Sequence, residues 1–189
     1  MRTLRSVVVA LLCAVLLSSC SSAPPEPAST LYVDSHQKTD ARMTQIAAAL
    51  NKHDAGALKA MFSPPALEQS TDIDGRLDHL LALFPNGGVT WTAWDYNTAE
   101  REYKKGKLTE VWLVQYKLSA NGKHYALFFA DFTVNEIIDP HNVGLYALGV
   151  EPWTDSPMYS CSGPFFSWAC SIHANGNDKN GYPGVYVAP

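Results

Sequence analysis

The chain has 189 residues, 14 basic against 18 acidic side chains and a formal net charge of −4; 47% of its residues are hydrophobic. That length fits one domain with tails, and the apolar share supports a packed core. The acidic balance argues against nucleic acid as a partner, because the densest positive run, Lys104-Lys105-Gly106-Lys107, reads as a solvated hairpin tip.

Arg2 and Arg5 precede an apolar stretch from Val7 to Leu17. About 11 residues cannot cross a roughly 30 Å hydrocarbon core as a helix, so residues 1–19 read as a secretory signal peptide. The stretch ends Leu17-Ser18-Ser19-Cys20. This aliphatic-small-small-cysteine pattern resembles the lipobox of bacterial lipoproteins. The resemblance implies a diacylglyceryl thioether on Cys20, cleavage just before it, and attachment to the cell membrane or outer envelope on the extracytoplasmic side. Each buried acyl CH₂ contributes about 0.8 kcal/mol, and two chains hold stably. Loss of Arg2 and Arg5 leaves 12 basic against 18 acidic residues. Residues 20–38 read as a flexible tether, with Pro24, Pro25 and Pro27 near its start.

Residues 39–62 carry a helical pattern. Met43, Ile46, Ala47 and Leu50 form one apolar stripe, with Thr39 or Asp40 as the expected cap. "NKHDAG" interrupts it, and Asp54 is placed to cap a short helix carrying Leu58, Met61 and Phe62. Ser63-Pro64-Pro65 is read as its stop. A further helix is expected over residues 73–84, with Leu77, Leu80, Leu81 and Phe84 in register.

From Val89 the period becomes two. "VTWTAWDYNTAEREY", "LTEVWLVQYKLS", "HYALFFADFTV" and "VGLYALGV" read as strands; "KKGK", "ANGK" and "IIDPHN" are the connections. Leu108, Trp112, Val114, Tyr116 and Leu118 fall on one face, against Val111, Leu113 and Gln115 on the other. Helices followed by a meander predict an α+β domain over 39–152, with the N-terminal helices packed on an antiparallel sheet.

Residues 153–189 read as a disulfide loop and tail. Cys13 leaves with the signal peptide and Cys20 is lipidated, so Cys161 and Cys170 are expected to pair in an exported chain. The loop of about 10 residues contributes roughly 2–3 kcal/mol in the chain-entropy model. Two thiols with His173 are too few for a zinc site. "NGNDKNG" lacks the closing glutamate of a calcium loop. No metal and no cofactor is expected.

"HDAGALKAMFS", "DIDGRL" and the closing "NVGLYALGV" resemble the nuclear transport factor 2-like, or cystatin-like, superfamily, and within it a group of bacterial lipoproteins of unknown function. The resemblance covers roughly residues 40–150. It implies a cone-like roll: a strongly bent antiparallel sheet around a long helix, with a cavity at the open end. Members include isomerases and cyclases as well as binding modules, and some dimerise through the open sheet face, so a homodimer is compatible with the fold. Fold alone does not decide the role.

For an isomerase-like site the candidates are Asp131, flanked by Phe128, Phe129 and Phe132, with Tyr116 and Tyr146. The competing reading pairs Asp131 across the sheet or turns it to solvent. His53, His79, His124 and His141 sit at helix ends, on a polar helix face or in turns, and read as structural or solvated. Trp91, Trp94, Trp112, Tyr116, Phe128 and Phe129 either line a pocket for an apolar ligand or fill core. Phe165, Phe166 and Trp168 either cover the sheet or meet a partner at the surface. The expected role is a lipid-anchored binding or interaction module acting on an apolar small molecule or an envelope protein. The alternatives are a small-molecule isomerase or cyclase and a structural envelope protein docked through the C-terminal loop.

Overall fold

The computed structural model describes residues 28–94, 98–153 and 184–187. The chain forms two compact units, residues 1–34 and 35–189. All side-chain contacts given below lie within the second.

Helix α1 runs Ala28–Lys52. It begins eleven residues before Thr39, within the stretch 20–38 read as a tether. The physical reason is local: Pro27 precedes the first helical residue, and neither Pro nor Gly follows before Lys52. Thr39 and Asp40 are therefore interior rather than caps. The Thr39 hydroxyl donates to the His36 carbonyl at 3.2 Å, as a mid-helix threonine does. The stripe Met43, Ile46, Ala47 and Leu50 is buried, as its spacing requires.

Helix α2 (Ala55–Lys59) is capped by Asp54, which accepts from the Ala57 amide at 2.8 Å. Ser63-Pro64-Pro65, read as a stop, is also a start. Ser63 caps α3 (Pro64–Gln69), with both prolines in the first turn, where a missing N–H costs nothing. Helix α4 (Ile73–Ala82) is capped by Asp72 and buries Ile73, Leu77, Leu80 and Leu81.

The strands are β1 (Thr90–Ala93), β2 (Thr98–Lys104), β3 (Lys107–Ala120), β4 (Lys123–Asn135), β5 (Gly144–Pro152) and β6 (Gly184–Val187). They form one sheet in the order β1-β3-β4-β5-β6, with β2 also on β3. β1 pairs with Tyr116–Ser119 and β2 with Lys107–Leu113. The two are halves of one edge strand, interrupted opposite Val114 and Gln115. Both hairpin turns carry positive φ at their centres, Lys105-Gly106 and Asn121-Gly122.

The expected sheet was antiparallel throughout; the observed one is mixed, because β6 runs parallel to β5. "GVYV" alternates as a strand should, with Val185 facing the main core and Tyr186 the opposite side. Its signal is short and set among Gly, Pro and Asn, which is why it read as tail. The α+β class and the order helices-then-sheet hold.

Two apolar clusters divide the sheet's faces. The inner face, toward the helices, presents Val114, Tyr116, Leu118, Leu127, Phe129, Leu148 and Val150 to Met43, Ile46, Leu50, Leu77 and Leu80. The outer face presents Val111, Phe128, Ala130, Phe132 and Ala147. Each large side chain removed from water contributes about 1.5–3 kcal/mol, which makes the inner layer the main source of stability.

The helices are tied to β5 by backbone. Ser63 N donates to Leu145 O at 3.0 Å and Leu145 N to Met61 O at 2.9 Å. The Ser63 hydroxyl donates to Asn142 Oδ1 at 2.5 Å. Gly144 has φ +124°, and a Cβ there would lie 2.8 Å from the Met61 carbonyl. Only glycine permits both this conformation and this approach. The "MFS" and "NVGLY" stretches thus meet in space.

Candidate functional site: two acid–guanidinium pairs around Trp112

Trp112 on β3 lies directly opposite Asp131 on β4, so both project from the inner face. Asp131 is buried, with 7% of its side chain exposed, and meets Arg42 of α1. Arg42 Nε donates to Oδ2 at 2.7 Å; a second, longer bond runs from an Arg42 Nη to Oδ1 at 3.5 Å. Gln45 takes the other Nη at 3.0 Å. Arg42 projects from the helix one residue before the first stripe position, which sets it at the edge of the core.

Two residues along β3, Glu110 is buried and held from three sides. Arg101 Nε, on the cross-strand neighbour, donates to Oε2. The Trp112 indole N–H donates to Oε1 at 3.0 Å, and the Thr133 hydroxyl to the same oxygen at 2.5 Å. A register shift between Glu110 and Val111 places Thr133 within reach. The Arg101 guanidinium also lies over the Trp112 ring, 5.7 Å from its centroid. Trp112 therefore contacts one ion pair directly and stands opposite the carboxylate of the other in the strand register.

The carboxylates differ electrostatically. Burial pushes Asp131 upward, and the Arg42 bonds and charge only partly oppose it, so its carboxyl stays above the ordinary aspartate range. Burial also works against Glu110, but the bonds from Thr133, Trp112 and Arg101, with the Arg101 charge, outweigh it and hold Glu110 below the usual glutamate range. The difference is the number of donors each carboxylate receives.

The sequence candidates separate. The Tyr116 hydroxyl donates to Asp40 Oδ1 at 2.8 Å; its ring stacks on Phe129 and meets the Trp91 ring edge-on. Tyr116, Phe129 and Trp91 are thus core between α1 and the sheet. Tyr146 sits where the β4–β5 register shifts, edge-on to Phe132, and burial pushes its phenol up. Phe128 is not with Trp112 and Tyr116: it points to the outer face and lies across Gly149. Strand alternation forbids grouping Phe128 with Phe129. Trp94 packs on Trp153 at 4.2 Å, with Lys117 over the Trp153 ring.

Among the histidines, the ring nitrogen of His53 contacts the Phe84 carbonyl, and that of His124 lies 2.8 Å from the Ser119 hydroxyl. His79 and His141 are exposed. Cys20, Cys161, Cys170, Phe165, Phe166 and Trp168 lie outside the described residues. Among the described residues no group of three or more His, Cys, Asp or Glu side chains is placed to hold a metal ion.

Sequence reasoning missed Glu110, Arg101 and Arg42. A signal existed for Glu110, a charge at an inward position of a strand whose neighbours are Trp112 and Val114. Arg42 carries no such mark: along the helix it is one charged residue beside the apolar stripe, and its partner Asp131 is 89 residues away.

Fold and site together define an α+β domain with helices on one face of a mixed sheet and two buried acid–guanidinium pairs at one end. A family model for a domain of unknown function, DUF5104, matches residues 45–155, more than half of the chain, and the chain belongs to that family. The matched region holds Arg101, Glu110, Trp112 and Asp131 but starts after Asp40 and Arg42 and ends before β6. No curated protein and no solved structure matches the chain.

Proposed function

We propose that this is a lipid-anchored, extracytoplasmic binding or protein-interaction module. Its body is a cone-like roll of the nuclear transport factor 2-like kind, and Cys20 carries the anchor. The observation that carries the binding reading over the enzymatic one is the Arg42–Asp131 pair. The best-placed acid for proton abstraction is buried against a guanidinium that α1 supplies. A base so engaged must break a buried ion pair before it can take a proton. Tyr116, the matching donor, is likewise directed at Asp40. The irregular registers of β3–β4 and β4–β5 support the bent sheet, since bulges turn strands. The lipobox-like Leu17-Ser18-Ser19-Cys20 supports the anchor.

The isomerase or cyclase reading keeps one observation in its favour: two carboxylates beside one tryptophan, displaced in opposite directions, divide acid from base roles in known sites. Native mass spectrometry of the full-length protein extracted from membranes in detergent separates the readings. The binding reading predicts a retained small molecule or protein partner that survives Asp131→Asn. A bare chain, or an adduct present in the wild type and lost in Asp131→Asn with native folding intact, favours the enzyme.

A further inference from the structure

Among the described residues, three large apolar side chains stand exposed: Tyr103 at 72%, Ile138 at 43% and Val143 at 45%. Single exposed apolar residues are ordinary on a protein surface. These three gather at one end of the sheet. Tyr103 lies on β2 opposite Leu108, beside the β2–β3 turn at Lys105-Gly106. Ile138 and Val143 belong to the β4–β5 connection, which is tied to the strand leaving that turn. Glu136 N donates to Leu108 O at 2.9 Å, and Leu108 N donates to Glu136 Oε2 at 2.9 Å.

Charge marks the same end. Lys104, Lys105 and Lys107 are all exposed there, in a chain whose net charge is −4. The neighbouring carboxylates are Glu102, half-buried on β2; Glu136, held by the Leu108 amide; and Asp139, held by the His141 amide at 3.0 Å. Two of the three are thus tied to backbone, while the lysines flank an open turn. Helix α1 also runs toward this end. Asn51 holds Val89, just ahead of β1, through bonds of 2.7 and 3.1 Å, and Arg42 meets Asp131 opposite Trp112. Followed back toward Cys20 in sequence, the helix passes from the Asn121-Gly122 end of the sheet toward the Lys105-Gly106 end.

A bilayer interface suits this mixture. Tyrosine and aliphatic side chains enter the headgroup region, and lysines keep their charge at its anionic surface. We propose that the β2–β3 turn and the β4–β5 connection form a membrane-contact surface for anionic phospholipid headgroups. Lys104, Lys105 and Lys107 meet the phosphates; Tyr103, Ile138 and Val143 enter the interface. The inference rests on the anchored reading and adds an orientation to it: the body stands with this end on the bilayer. Each lysine near an anionic surface shifts that orientation by about fivefold.

Photo-cross-linking of the full-length protein, extracted in detergent and reconstituted into vesicles, tests this. p-Benzoylphenylalanine replaces Tyr103 in one variant, Val143 in a second and Lys123, at the opposite end of the sheet, in a third; all three positions are exposed. Circular dichroism checks each fold, and either of the first two decides if the other misfolds. Vesicles containing phosphatidylglycerol are expected to give lipid adducts at 103 and 143 and few at 123. Adding Lys104→Glu, Lys105→Glu and Lys107→Glu lowers the yield at 143 by at least about tenfold. Equal adducts at 143 and 123, a yield that ignores the charge reversal, adducts to protein in place of lipid, or no adduct from a folded variant that floats with the vesicles overturns the inference and leaves the anchor standing. Protein that does not float with the vesicles overturns the anchor and the inference with it.

Discussion

Asp131 and Arg42 carry the sharpest residue-scale consequence. Arg42→Ala leaves a buried carboxylate with no counter-charge, a change that costs about 3–5 kcal/mol for fully buried pairs. Because 24% of the Arg42 side chain reaches water, about 2–3 kcal/mol is expected here. The sign with pH follows from the upward displacement of Asp131. A carboxyl raised in the folded state favours folding below its unfolded pKa and loses that advantage as pH rises through the folded value. Arg42→Ala removes the guanidinium's downward pull, so its penalty is largest near neutrality and shrinks as acid protonates Asp131. Urea unfolding of wild type and variant at pH 7 and pH 4.5 measures this; an equal penalty at both contradicts it. At the same scale, Gly149 is fixed by shape. A Cβ there would stand 1.9 Å from Phe128 Cζ, so Gly149→Ala must displace a ring packed on the outer face. We expect a loss of about 1–3 kcal/mol, with much of it recovered in the Gly149→Ala/Phe128→Leu double variant by thermal denaturation.

Ser63 shows at the element scale how one side chain serves three elements. It ends the α2 stretch, caps α3 through the Ala66 amide at 3.3 Å, and reaches Asn142 before β5. Ser63→Ala removes the cap and leaves the Asn142 carbonyl without that donor. About 1–2 kcal/mol is expected, with the melting transition several degrees lower; an unchanged melting temperature contradicts the three-way role. Element existence was legible in the sequence wherever a single periodicity ran long enough: the α1 stripe, the faces of β3, the two-sided apolar β4 and the Asn121-Gly122 turn. Boundaries failed where one residue type has two meanings. The Pro64-Pro65 doublet stops one helix and begins another, and the small polar residues after Pro27 tolerate helix as readily as coil. β6 was illegible because four residues carry too little pattern, and its partner β5 is distant in sequence. Of the two ion pairs, Asp131 is legible from its aromatic neighbours along β4 and Glu110 from its inward place beside Trp112, but Arg42 and Arg101 are defined by pairing across elements, which spacing along the chain does not encode.

For the whole molecule, the anchor and the body are separate claims. With α1 starting at Ala28, only Ser21–Pro27 separate Cys20 from the first helical turn. At about 3.3–3.6 Å per residue, these seven residues reach roughly 25 Å at most, which bounds the distance from the lipid proposed on Cys20 to Ala28. On the anchor proposed above, Cys20→Ala removes the thioether and with it the acyl chains. The full-length variant is expected to leave the membrane fraction for the soluble extracytoplasmic fraction, read by immunoblot of fractionated cells. Retention in the membrane, with processing intact, contradicts the anchor and leaves the fold untouched. The role proposed for the body turns on the two ion pairs at Trp112, in which Asp131 is tied to α1 and Glu110 to β2. The measurement that bears on this most directly is a double-mutant cycle on Arg42→Met and Asp131→Asn, followed by urea unfolding at pH 7. The account predicts a coupling of about 1–3 kcal/mol, the two changes together costing far less than their sum; additivity within about 0.3 kcal/mol contradicts it and returns Asp131 to candidacy as a base.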